Sequence, residues 1–236
     1  MNSCLTRCAL LAAASTLSLA SQAAQVTIDG WTFGSGNSVH LSSSVGSYSG
    51  QAGGFRGSLL GAGTIDTATL RTYCVELTES FSHWGAPSMV GYSYVDSAAY
   101  GQWTHAASTA DAIGRLMTYV SHTPTAVDTA AESTSLQLAI WNLIYDTDFS
   151  VSTGAGFRDT SAYAAYADTL LSHVAATSSE YQVGVLTMRG SQDFLMLTPL
   201  GGTDRVDLTV PEPGSAALAG LALLGAFGAA ARRRRR

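Results

Sequence analysis

The 236 residues are 46% apolar and carry 12 basic and 17 acidic side chains, a formal net charge of −5. Half of the basic residues lie in the first 23 or the last five positions, so residues 24–213 keep six arginines, no lysine and all 17 acids, a surplus of eleven negative charges. Such a surface excludes nucleic acid and anionic lipid as partners, because phosphate recognition needs a basic face, and a stretch of this length suffices for one domain with a real core.

In chain order, residues 1–23 come first. They hold Arg7, an apolar run over 9–20 and Ser21-Gln22-Ala23, the layout of a secretory signal peptide removed by signal peptidase. The run is too short to span a bilayer. Cys4 and Cys8 leave with this peptide, so the body over 24–209 retains Cys74 alone. No intrachain disulfide is then available, and four fates stay open for that thiol: burial, an intermolecular disulfide, metal ligation, or consumption in another covalent bond. Neither HxxxH spacing among His40, His83, His105, His122 and His173 nor a CxxC is present, so no metal site or cofactor is expected.

Residues 26–60 alternate and are rich in Thr, Ser, Val and Gly, with turn material at Gly34-Ser35-Gly36-Asn37 and at 50–53, which predicts an antiparallel meander. Residues 68–77 alternate with β-branched positions, predicting a strand with Cys74 on the face of Thr72 and Glu76. A short strand follows at 92–95. The period then lengthens: 97–121 and 128–145 repeat apolar residues at helical spacing, among them Leu136, Ala139, Ile140, Leu143 and Ile144, and 161–175 predicts a third helix. Strands return at 181–188 and 194–197. The order predicts an α+β fold, an antiparallel β-sandwich or barrel with an inserted three-helix region. Asp146-Thr147-Asp148 lacks the glycine and closing glutamate of a calcium loop and reads as a solvated helix end. The glycine clusters precede no Gly-Lys-Ser/Thr, and no signature of a cysteine-histidine hydrolase is visible, so the chain is not read as an enzyme.

The chain ends on Val210-Pro211-Glu212-Pro213, an uncharged apolar run over 215–231, and Arg232, Arg233, Arg234, Arg235 and Arg236. The prolines keep the tetrapeptide extended. The run is near the shortest length for a transmembrane helix, and the arginines hold its end on the cytoplasmic side. Residues 210–236 resemble the PEP-CTERM sorting signal of Gram-negative bacteria. The resemblance implies recognition by an exosortase, transient anchoring in the inner membrane, and release to the cell surface or an extracellular matrix, often one rich in exopolysaccharide.

Two internal segments form a second pattern: Thr72-Tyr73-Cys74-Val75-Glu76 and, 63 positions on from the cysteine, the helix around Leu136-Gln137-Leu138-Ala139-Ile140-Trp141. Together they resemble the bacterial thioester domain. That resemblance implies an internal bond between the Cys74 thiol and the Gln137 carboxamide, with Tyr73, Glu76 and Trp141 around it, and acyl transfer to an amine on a partner surface or exopolysaccharide. A thiol attacks an unactivated amide only where a fold supplies a very high effective molarity. A cysteine in an apolar strand is also commonly a small core residue, and the same helix is an ordinary amphipathic one. The expected function is an exported attachment module; the alternative is a passive component of a biofilm matrix.

Overall fold

A computed structural model describes residues 24–60, 67–79, 89–103, 105–146 and 148–201. The expected signal peptide, the sorting tail and the transmembrane helix expected within it lie outside the described residues. No helix among the described residues is long and apolar enough to cross a membrane.

Among the described residues the fold is mixed α/β, with antiparallel sheets and three α-helices. Strand β1 (Ala24–Trp31) buries Ala24, Val26 and Ile28, and pairs not with its sequence neighbours but with β4 (Phe55–Leu60). Between them β2 (Asn37–Ser43) and β3 (Gly46–Ala52) form a hairpin that departs to a second sheet. The predicted single meander is therefore split. Its second turn also moves, from 50–53 to 44–45, because Gly50 through Ala52 pair with β2.

Strand β5 (Thr67–Thr72) continues the first sheet beside β4, and β6 (Met89–Asp96) lies on the far side of β1. Helices α1 (Ala106–His122) and α2 (Ala130–Tyr145), the two-residue β7 (Arg158–Asp159) and helix α3 (Ala164–Ser172) then intervene. β8 (Tyr181–Met188) returns to pair with β6, and β9 (Ser191–Pro199) completes the sheet in the order β5-β4-β1-β6-β8-β9. β7 adds to the hairpin, giving a three-stranded sheet β3-β2-β7. The predicted barrel is not formed. Beyond β5 the chain meets β9 at one bridge, Cys74 to Phe194, so the six-stranded sheet curls until its edges touch without closing.

The predicted helix over 97–121 begins only at Ala106. Asp96 caps a short 3-10 turn at Ser97–Ala99 instead, its Oδ1 accepting from Ala98 N–H at 2.9 Å. Helix α2 differs from expectation in a more consequential way: every residue from Ser133 to Leu143 is buried. Between its end turns the helix has no solvent face. The hairpin, α1, α3 and the segment after β5 surround it, so its polar residues must find partners inside. Thr134 Oγ1 donates to Ala52 O at 2.8 Å, Gly54 N–H donates to Ser133 Oγ at 2.8 Å, and Ser135 Oγ donates to Tyr163 O at 2.9 Å.

A reciprocal box starts α2: Glu132 N–H donates to Thr129 Oγ1 at 3.2 Å while Thr129 N–H donates to Glu132 Oε2 at 3.0 Å. Thr129→Ala should lower stability by about 1 kcal/mol, read as a shift of the urea midpoint with an unchanged slope. At the other end Asp146 caps α2 at a half-buried position and Asp148 is exposed, as expected of a helix end, and both also accept from the loop that follows. Asp146 Oδ2 accepts from Phe157 N–H at 2.7 Å, and Asp148 Oδ1 accepts from Ser150 N–H at 2.9 Å, stitching the following loop shut.

Candidate functional site

The site grows from the end of β5. Thr72 closes that strand and donates from Oγ1 to Leu195 O at 2.7 Å, directing the chain toward β9. Two further bonds fasten it there, Leu195 N–H to Tyr73 O at 2.9 Å and Val75 N–H to Asp193 O at 3.1 Å. The predicted strand over 68–77 thus stops early, and residues 72 to 76 are all buried rather than alternating between two faces.

In an antiparallel bridge of this kind the central residue turns its own N–H and C=O away from the partner strand. Cys74 is that residue. Its backbone faces α2, and Gln137 meets it: Cys74 N–H donates to Gln137 Oε1 at 2.9 Å, and Gln137 Nε2 donates to Cys74 O at 2.8 Å. The carboxamide takes the place of a neighbouring strand. Gln137 is fully buried and Cys74 is 8% exposed, so neither group exchanges these bonds for water. Ser133 and Thr134, one turn earlier on α2, hold the helix in register through Gly54 and Ala52.

A cavity of about 250 Å³ opens beside this pair. Cys74, Glu76, Gln137 and Trp141 line it together with Trp31, Tyr48, Phe55, Gln51, Glu79 and Gln192. Of the residues singled out from the sequence, Tyr73 alone does not line it; its hydroxyl lies 3.3 Å from Ser133 Oγ. Trp31, Tyr48, Phe55 and Gln192 were not foreseen as site residues. Their aromatic rings form walls: Trp31 stacks on Phe55 at 4.6 Å, and Tyr48 meets Trp141 edge-on at 5.8 Å. A tryptophan closing β1 just before a glycine turn was the available signal, but nothing local says that the hairpin folds Tyr48 back over α2.

Burial pushes the Cys74 thiol well above the usual thiol range, and the Glu76 carboxylate adds to the rise, so the sulfur rests as a neutral thiol. Glu76 is itself held up at about 7, chiefly by burial and then by the carboxylates of Asp193 and Glu79. Those three carboxylates come within 4.8 Å of one another. The described residues contain no other such grouping of His, Cys, Asp and Glu side chains.

The family model described as the PEP-CTERM protein-sorting motif matches residues 209–236. No curated protein and no solved structure matches the chain. The tail is thus that of an exosortase substrate, which implies export and membrane-anchored processing toward the cell surface.

Proposed function

We propose that the body of this exosortase substrate is an attachment module that couples covalently to amines through an internal thioester between Cys74 and Gln137. One observation carries the reading: two buried hydrogen bonds hold the Gln137 carboxamide against Cys74 at the wall of a cavity. The Cys74 Sγ attacks Gln137 Cδ. The S–C bond forms, the Cδ–Nε2 bond breaks, and the thiol proton leaves with the nitrogen as ammonia. Cys74 N–H already points at Oε1, the oxygen on which negative charge develops, so the transition state gains a donor that needs no reorganisation. The proton must move during the attack, since a thiol this buried does not ionise beforehand.

An amine entering the cavity, from a lysine of a partner or an amino sugar of the matrix, attacks the same carbon. It forms an amide and returns a proton to the sulfur. Trp31, Tyr48 and Trp141 keep the activated acyl group from bulk water until then. The body has no lysine that could consume the bond from within.

A passive matrix component is the second reading, and one observation favours it. The carboxamide satisfies both backbone groups of Cys74 without any covalent bond. Intact mass decides between the two. The freshly purified chain should weigh less by one ammonia than its processed sequence requires, methylamine should add its own mass, and Cys74→Ala should abolish both changes. A full sequence mass in folded, unreacted protein would overturn the covalent reading and leave Gln137 as a structural clasp.

A further inference from the structure

At the cavity wall, Glu76 and Glu79 from the segment after β5 meet Asp193 of β9. Asp193 is anchored through both side-chain oxygens. Its Oδ2 accepts from the Tyr100 hydroxyl at 2.7 Å and its Oδ1 from Met188 N–H at 3.0 Å, which leaves each oxygen a free lone pair. Glu76 is 3% exposed, and its Oε2 is buried with no hydrogen-bond partner. An orphaned buried carboxylate oxygen is costly, and more so when other carboxylates face it. The two ion pairs among the described residues, Arg115 with Asp111 and His122 with Glu180, lie elsewhere, and neither supplies a countercharge here.

We propose that Glu76, Glu79 and Asp193 bind a calcium ion, which ties the segment following Cys74 to β9. All three offer hard oxygen donors, and no histidine or cysteine joins them, which disfavours zinc. Their irregular arrangement beside a cavity suits calcium, which tolerates variable geometry and completes its shell with water, better than magnesium, which demands a regular octahedron. Glu76 and Glu79 line that cavity, so the ion has a path in. An exported protein meets calcium at the concentrations such modules use, with dissociation constants on the order of 10⁻⁴ to 10⁻³ M. The site was invisible to sequence spacing because Asp193 lies far along the chain from the two glutamates. It stands whether or not the thioester forms.

The test uses the full-length chain in detergent, stripped with a chelator. Terbium added to it should luminesce on excitation of Tyr100, whose hydroxyl touches Asp193, and calcium should displace the terbium in the millimolar range. The thermal midpoint should rise with calcium chloride and fall back with chelator. Glu79→Gln, at a half-buried position, should weaken calcium binding at least about tenfold while the protein stays folded. Asp193→Asn should do the same if it folds. No sensitised luminescence and no calcium-dependent midpoint would overturn the site in favour of a proton shared among the carboxylates. Calcium binding that Glu79→Gln leaves unchanged would overturn it equally.

Discussion

Gln137→Ala should destabilise the folded chain by about 3–5 kcal/mol, among the largest effects of any single substitution. The change strips the partner from both Cys74 N–H and Cys74 O, which lie 2.9 and 2.8 Å from the buried carboxamide. Each orphaned group costs about 1–3 kcal/mol, and the vacated volume at the centre of α2 adds a cavity term. Gln137→Glu keeps the shape and separates the contributions. An ionised glutamate still accepts from Cys74 N–H but has no hydrogen for Cys74 O, so it must take up a proton or leave that carbonyl unpaired.

Cys74→Ala is the informative companion in the same urea titrations. It retains both backbone groups, so the clasp persists, and without a covalent bond it should cost on the order of 1 kcal/mol for the lost side-chain burial. With the thioester intact it also removes a cross-link closing a loop of about sixty residues, worth about 4 kcal/mol by the chain-entropy argument used for disulfides. A Gln137→Ala protein as stable as the parent would mean that the clasp holds nothing.

Gly57→Ala should cost more than about 3 kcal/mol and lower the thermal midpoint by about 6–12 °C. Gly57 sits in β4 between β1 and β5, where the register is irregular on both sides. A Cβ there would lie 1.8 Å from Thr27 O, 2.8 Å from its carbonyl carbon and 3.1 Å from Ile28 Cα. All three are backbone atoms of a paired strand, so no side chain can swing aside. The strands themselves must part. Because β1 ends in Trp31 and β4 begins with Phe55, parting them also disturbs the stacked wall of the cavity. Gly101→Ala is the control: a Cβ there meets nothing within 4 Å, and its stability should stay within about 0.5 kcal/mol of the parent. Equal midpoints for the two variants would show that the β1–β4 approach is looser than described.

How much was legible depends on how far apart the interacting residues are. The helices and most strands followed from local period, and the insertion of three helices between β6 and β8 followed from the order of those periods. The pairing of Cys74 with Gln137 was suggested by two short motifs, and the structure brings these residues together by hydrogen bonds through the backbone of Cys74. Local period misled at α2. An apolar stripe implies one buried face, whereas Ser133, Thr134, Ser135, Gln137 and Asn142 are buried as well; the first four are satisfied by partners outside the helix, while Asn142 keeps a buried Oδ1 without one. The hairpin of β2 and β3 was likewise read as part of one meander, since alternation reports that a strand is half-buried and not which sheet it joins.

By itself the linear chain determined how this protein is handled. The PEP-CTERM motif at 209–236 is a contiguous signal, since two prolines about a glutamate, an uncharged run and a block of arginines are recognised in sequence order alone. Tertiary structure decided what surrounds Cys74. The aromatic cavity walls come from β1, β3, β4 and α2, and the carboxylate cluster exists only because the segment after β5 meets β9 at the Cys74–Phe194 bridge. Such convergence depends on how the hairpin, the other helices and the segment after β5 pack around α2, a property of the whole packing that no window of neighbouring residues encodes.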